Sequence, residues 1–215
     1  MVSSNQLPTP TAETVFLVSG GAKGITAACV IALAERFHSR FILGGRTRFD
    51  DGAEPSWAHG VQDESELMRA AMTVLKQDGD RLDPRRLQKM VRDLQSGREI
   101  QATLDAVAAA GGTALYAQAD VTDEAALKVA VSEASAVLGP VTGVIHGAGV
   151  LADKLVKDKP VQDFDWVVSV KVDGLRNLLS GVALDRLSFL VLFSSVAGFY
   201  GNIGQADYAV ANEIL

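Results

Sequence analysis

The sequence predicts an α/β protein built on a doubly wound parallel sheet, and three observations carry that prediction. Short runs rich in β-branched and aromatic residues alternate along the chain with helical patterns. A glycine-rich turn, SGGAKGIT at 19–26, separates the first such run from the first helix, the place where a parallel sheet uses one. The runs VFLV, FIL and FLVLF are apolar without alternation, as strands covered on both faces must be.

The elements follow in order. VFLVSG (15–20) is strand one, and the first helix runs from near Ile25 to about Phe37. FILGG (41–45) is strand two and ALYAQADV (114–121) strand three, followed by a helix from Asp123 to about Val137. GVIHGAG (143–149) is strand four; a helix from Asp163 to about Ser180 leads to the strand LSFLVLFSS (187–195), and AVANEIL after Tyr208 reads as helix. About fifty residues, Phe49 to Arg98, interrupt the alternation as an insertion. Inside it, Asp83 and Pro84 form a helix start, with Leu87, Met90, Val91 and Leu94 at i, i+3, i+4, i+7. A second amphipathic stretch, Glu64 to Lys76, carries Leu67, Met68, Ala71, Val74 and Leu75. The two apolar faces pack on each other as a helical hairpin, or else cover the core as a flap or offer a docking surface.

Composition sets limits. At 215 residues and 48% hydrophobic content the chain can bury one sizeable core. A net charge of −6 argues against a nucleic-acid surface, which needs clustered Lys and Arg. Cys29 is the only cysteine, so no internal disulfide or cysteine-rich zinc site can form; among Ala28, Val30 and Ile31 it is expected to be packed. His38 and His59 lack ligand-spaced partners, so no metal is implied. Trp57 and Trp166 are expected to be packing groups. The start, MVSSNQLPTPTAE, has no basic or apolar targeting region, and nowhere do eighteen apolar residues run together. The expectation is a cytoplasmic protein with no membrane contact and a disordered lead-in at 1–13.

Ser195 and Tyr208, thirteen positions apart in FSSVAGFYGNIGQADYAVAN, are the candidate catalytic pair. A phenol can protonate a carbonyl oxygen as that oxygen gains negative charge, while a serine hydroxyl holds the same oxygen. Ser195 closes a strand and Tyr208 opens a helix, which brings both to the carboxyl edge of the sheet, where open α/β folds bind ligands. In the glycine turn, Gly20 and Gly24 match a dinucleotide loop, but Thr26 stands where the third glycine would be. An ordinary turn is the alternative; the order strand, glycines, helix favours a pyrophosphate site lined by Gly20, Gly21, Lys23, Gly24 and Ile25. Strand two ends in GGRT, with Arg46 about twenty residues past the loop and no acid before Asp50. An arginine there suits a 2′-phosphate, with Thr47 in support, so NADPH is favoured over NADH; a solvated surface arginine is the alternative. Asp120 and Val121 close strand three, Asp120 facing adenine and Asp123 capping the next helix.

On these residues the chain resembles the short-chain dehydrogenase/reductase superfamily with its Rossmann-like sheet, and within it the ketoreductase domains of polyketide and polyunsaturated-fatty-acid synthases. SGGAKGI matches the family's dinucleotide loop, HGAG (146–149) the motif beside the cofactor, and GQADYAVAN the catalytic segment. The resemblance covers Val15 onward apart from the insertion. It implies that Gly147, Ala148 and Gly149 flank the nicotinamide and that His146 is a structural wall residue. Most of the superfamily carries Y-x-x-x-K, whereas position 212 is Asn. Lys171, in VKVDGLRNL, stands where other members carry the active-site asparagine, an exchange that synthase ketoreductases share. A cation there lowers the pKa of a phenol, ordinarily about 10. The resemblance thus makes Ser195, Tyr208, Lys171 and Asn212 the catalytic set, with Lys171 tuning Tyr208 and binding ribose, and Asn212 in the proton relay.

The implied reaction is hydride transfer from NADPH to the β-carbon of a 3-oxoacyl thioester on an acyl carrier protein, beside the other domains of a fatty-acid or polyketide synthase. Leu151-Ala152-Asp153 falls where D-type ketoreductases carry Leu-Asp-Asp, and position 200 is Tyr rather than the Trp of the L-type, which implies a (3R)-type alcohol. Two alternatives stand beside this: a free-standing reductase of a small carbonyl compound, against which the Lys171–Asn212 exchange counts, and a non-catalytic nucleotide-binding half, which has no chemical need for Ser195, Tyr208 and Lys171 together. The chain stops at Leu215, before the strand and lid that the family carries next. It is therefore expected to be a fold truncated at its C-terminus, a piece of a longer polypeptide that is poorly stable alone.

Overall fold

The apolar runs become five parallel strands in the computed structural model, which describes residues 7–50, 54–77 and 83–215. They are β1 (Val15–Ser19), β2 (Arg40–Gly45), β3 (Thr113–Gln118), β4 (Gly143–His146) and β5 (Phe189–Leu192). The order across the sheet is β3-β2-β1-β4-β5. The chain starts in the middle, builds outward through β2 and β3, then returns to add β4 on the other side of β1. The order reverses between β1 and β4, and a crevice for ligands forms at the carboxyl ends of strands at such a point. Register puts Ser19 of β1 level with Gly44 of β2 and His146 of β4, so the three strand ends finish together.

The chain divides into two compact units. The first holds the residues through Arg46 and those from Thr103 on; the second is Thr47–Ala102. In the first unit, α1 (Gly24–Phe37) buries Thr26, Ala27, Val30 and Ala34 along one stripe. Cys29 lies off that stripe and is exposed, against the expectation that it is packed. The helical period decides this: Cys29 is three positions from Thr26 but falls outside the sector set by Ala27, Val30 and Ala34. The central strands are buried almost completely, and Phe16 stacks on Phe41 at 5.7 Å between ring centroids and tilts against Phe189 at 5.6 Å. β5 is different. It lies at the sheet edge, and Leu190 and Val191 are exposed, so the expectation of a strand covered on both faces fails there. Trp166 is exposed as well and is not a packing group.

The expected lead-in at 1–13 begins outside the described residues, at 1–6. Its last part is tied down: the Thr11 carbonyl accepts from the Ser39 hydroxyl at 2.8 Å, and Glu13 pairs with Arg40 at 2.9 Å.

In the second unit, α2 (Glu64–Gln77) and the part of α3 (Pro84–Ala109) before Thr103 put Leu67, Ala71 and Val91 into one cluster with Ala58, joined by Met68, Leu87, Met90, Leu94 and a partly buried Trp57. The helical hairpin is thus the form the insertion takes. Both starts are capped: Asp63 accepts from the Glu66 amide at 3.0 Å and Asp83 from the Arg85 amide at 2.9 Å. Residues 51–53 and 78–82 of the expected insertion lie outside the described residues. Its expected end at Arg98 is corrected. α3 continues without a break to Ala109, because Gly97 is the one glycine between Pro84 and Ala109, and one interior glycine costs only about 1 kcal/mol.

In the first unit, α4 (Glu124–Leu138), α5 (Val161–Ser180), α6 (Val196–Tyr200) and α7 (Ala206–Ile214) complete the fold. Asp123 caps α4 as expected, accepting from the Ala126 amide at 3.0 Å. The short α6 was not expected; it turns the chain between Ser195 and the helix of Tyr208. No helix among the described residues is long and apolar enough to cross a membrane.

Packing at the start of β4 is tight. A Cβ on Gly143 would come within 2.4–2.5 Å of the buried Phe16 ring, which Phe41 and Phe189 hold in place. Gly143→Ala should therefore lose about 1–3 kcal/mol of unfolding free energy in urea; an unchanged midpoint would show that the ring can yield.

Candidate active site

The turn after β1 is shaped by what glycine alone allows. Gly20 has φ +67°, and a Cβ there would stand 3.1–3.3 Å from the backbone of Gly147 and Ala148. Gly24 has φ +58°, and the space a Cβ would enter is open. Lys23, extended at the N-cap of α1, makes no side-chain cap. The positive end of this fourteen-residue helix thus starts beside open space at Gly24, the chemistry that holds a pyrophosphate. Gly21 is needed for packing, since a Cβ would lie 2.7 Å from Val18. Thr26, the departure from the three-glycine pattern, is accommodated from across the turn: its Oγ1 occupies space 2.4 Å from where a Cβ on Gly147 would be.

Beneath this turn runs a line of buried hydrogen bonds. The Lys171 carbonyl can only accept, so His146 Nε2 carries the proton and donates to it at 2.9 Å. His146 Nδ1 then accepts from the Ser19 hydroxyl at 2.6 Å, and Ser19 Oγ accepts from the Ala148 amide at 3.2 Å. The line joins β1, the Gly147–Gly149 segment and α5. Burial pushes the pKa of His146 down from 6.5 to about 4, aided by the charge of Lys171 and opposed by the hydrogen bond to the Lys171 carbonyl. The imidazole is neutral at physiological pH.

Lys171, on α5, is buried, and burial lowers its pKa. Its ammonium donates to the Phe193 carbonyl at the end of β5, and a Cβ on Gly149 would stand 3.2 Å from its Cε. Ser195 follows two residues after Phe193 as the N-cap of α6, its Oγ accepting from the Ala197 amide at 3.2 Å, so the hydroxyl proton is free to donate elsewhere. Tyr208 is half-buried in the first turn of α7. Asn212, one turn on, donates from Nδ2 to the Tyr208 carbonyl at 2.7 Å and accepts from the Ser194 hydroxyl at its own carbonyl, 2.8 Å. Asn212 Oδ1 is buried without a partner among the described residues, an acceptor waiting for a donor. A Cβ on Gly198 would be 3.1 Å from the Asn212 and Glu213 backbone, so α6 and α7 touch through it. Lys171, Ser195, Tyr208 and Asn212 are thus gathered about the segment Phe193–Ser195. Lys171 bonds to Phe193 rather than to the Tyr208 hydroxyl.

Arg46, at the end of β2, is loosely paired with Asp120, 3.9 Å from Nη1 to Oδ2, with the two side chains 54% and 39% exposed; such a pair is weak and its arginine available. Thr47 follows as the first residue of the second unit. β3 ends at Gln118, so Asp120 and Val121 lie in the turn beyond it rather than in the strand. Asp120 Oδ1 accepts from the amide and hydroxyl of Thr122 at 2.9 and 2.7 Å. Val121 is buried, and its carbonyl accepts from Asn177 Nδ2 at 3.0 Å. Ser19 and Asn177 are site-building residues that sequence reasoning missed. The signal was there for Ser19 and His146: each is the one polar residue closing an otherwise apolar strand.

A family model described as "KR domain" matches residues 14–215. One component of the polyunsaturated fatty acid synthase of Thraustochytrium sp. is 41% identical over 210 residues, which is 94% of this chain and 7% of that protein. The chain thus spans a small part of the curated relative it matches. A ketoreductase domain from the bacillaene assembly line superposes with a TM-score of 0.66 at 26% identity, over 98% of this chain and 40% of that one. A short-chain dehydrogenase from Mycobacterium paratuberculosis bound to NAD gives a TM-score of 0.66 at 19% identity, over 96% of this chain and 64% of that one; it shares the fold and is itself a nicotinamide-nucleotide protein.

The histidine line has a pH signature. A base whose folded pKa is depressed to about 4 from 6.5 binds fewer protons folded than unfolded between those values, so stability is whole above about 6.5 and is lost as pH falls toward 4. The urea midpoint of the chain should fall between pH 7 and 4.5 by more than that of His146→Gln; equal falls would show that His146 is not the group responsible.

Proposed function

The chain belongs to the KR domain family, and we propose that it reduces a 3-oxoacyl thioester, presented by an acyl carrier protein within a fatty-acid or polyketide synthase, to the 3-hydroxyacyl thioester with NADPH. The observation that carries this reading is the gathering of Lys171, Ser195, Tyr208 and Asn212 about Phe193–Ser195, in the unit that also holds the glycine turn and the uncapped start of α1.

The residues fit the cofactor: open space at Gly24, an uncapped helix start and a close-set Gly20–Gly147 contact suit a pyrophosphate. Gly20, Gly21, Lys23, Gly24 and Ile25 would hold it, Arg46 the 2′-phosphate, and Asp120 with Val121 the adenine, while Gly147, Ala148 and Gly149 would flank the nicotinamide. When bound, NADPH supplies the hydride that reaches the β-carbon. The chain's own residues handle the oxygen. Tyr208 gives it a proton as negative charge develops, and Ser195 donates a hydrogen bond to the same atom. The buried Lys171 ammonium, held on the Phe193 carbonyl, would bind the nicotinamide ribose beside Tyr208. Asn212 Oδ1, buried without a partner among the described residues, would accept from the donor that returns a proton to Tyr208.

Tyr208→Phe should lower the rate of NADPH oxidation with a 3-oxoacyl thioester surrogate by about 100-fold or more, with nucleotide affinity within about twofold, measured by absorbance on the chain alone and continued past Leu215. Turnover that survives the substitution would remove Tyr208 from the reaction. Arg46→Ala should weaken NADPH binding by about tenfold, the loss of one charge-assisted contact, and leave NADH binding unchanged; equal effects on both would overturn the 2′-phosphate role.

A further inference from the structure

Lys159 and Asp207 form an ion pair that solvent barely reaches, 2.6 Å between Nζ and Oδ2, with side chains 4% and 1% exposed. Lys159 ends a single helical turn, Val156–Asp158, in a loop that is otherwise exposed from Asp153 to Asp158, yet its ammonium turns inward. Asp207 immediately precedes Tyr208 in the first turn of α7. Taking two charges out of water is expensive, and a well-packed apolar pair is commonly as stable or more so. What the pair offers is direction. The ammonium donates both to Asp207 and, at 2.7 Å, to the Ala152 carbonyl, while the other Asp207 oxygen accepts from the Tyr208 amide at 2.9 Å. Two further bonds join the same segments: the Lys154 amide to the Gly204 carbonyl at 3.0 Å, and Gln205 Nε2 to Asp153 Oδ2 at 3.0 Å. Among the described residues the Tyr208 hydroxyl has no hydrogen-bond partner, so its place is set through its backbone, which Asp207 holds at the amide and Asn212 at the carbonyl.

We propose that Lys159 and Asp207 are positioning residues for the proton donor: the pair pins the first turn of α7 to Ala152–Lys154 and so fixes where the Tyr208 hydroxyl stands. The inference rests on the reading of Tyr208 as the proton donor.

The test is the double substitution Lys159→Met with Asp207→Leu, which removes the pair without stranding a charge. Hydrogen exchange should quicken by roughly tenfold or more in peptides covering 151–156 and 204–212 and stay unchanged in those covering β1 and β4. With the thioester surrogate, kcat should fall roughly 10- to 100-fold, as misplacement of a reacting group by about 1 Å does, while KM and NADPH affinity move less than about threefold. Lys159→Arg, which keeps the charge and both donations, should restore most of kcat. Unchanged exchange, or a loss confined to KM, would overturn the proposal. Should the double variant fail to fold, Asp207→Asn, isosteric and still able to accept from Lys159, should show the same split at about three- to tenfold in kcat, and wild-type kcat in that variant would overturn it. A wild-type chain that protects 204–212 but shows no Tyr208-dependent turnover would instead sink the reductase reading while leaving the anchoring intact.

Discussion

The site depends on one buried imidazole. His146 closes β4, accepts from Ser19 at the matching end of β1 and donates to the backbone of Lys171 on α5. Any apolar residue could fill its volume, but none could accept from one side and donate to the other. With the imidazole neutral, Ser19 is left to accept from the Ala148 amide, and the segment Gly147–Gly149 leaves the strand along a fixed path. A protonated imidazole would reverse the Ser19 bond, donating to that oxygen, and would bring a second cation close to Lys171 in a buried place, so burial favours the neutral form.

Two kinds of chemistry meet above that line, and they are built differently. The candidate nucleotide side is backbone and emptiness: positive-φ glycines at 20 and 24, close approaches at Gly20 and Gly147, and an uncapped helix start. The candidate reaction side is a set of side chains held by one another's main chains, with Lys171 on the Phe193 carbonyl, Asn212 on the Tyr208 carbonyl and Ser194 on the Asn212 carbonyl. Gly149 lies where the two meet, since a Cβ there would stand 3.2 Å from Cε of Lys171. The exchange of lysine and asparagine between α5 and α7 keeps one ammonium and one amide in the site.

Much of this was legible in the sequence, for physical reasons. Continuous apolar runs can be satisfied only between two helical layers, so β1, β2 and β4 and their parallel arrangement followed directly. Strand ends were read too long, at 121, 149 and 195, because polar residues past the last ladder bond still look strand-like by composition. Periodicity could not reveal that α3 runs through the expected end of the insertion, since helices that belong to different units share one pattern when no breaker separates them. The polar contacts were the least legible. Lys159 in VKDKP and Asp207 in GQADY are forty-eight positions apart, and nothing local marks either as buried. His146 and Ser19 could have been paired from the sequence, since each ends an apolar strand and adjacent parallel strands end together.

The most direct test of the account is a crystal structure of the chain with NADP bound. The pyrophosphate is expected on the amides of Gly24 and Ile25, the 2′-phosphate at Arg46, and the nicotinamide between Gly147–Gly149 and Tyr208, with the His146–Lys171 bond intact. A nucleotide bound elsewhere, or one whose nicotinamide lies away from Ser195 and Tyr208, would contradict it.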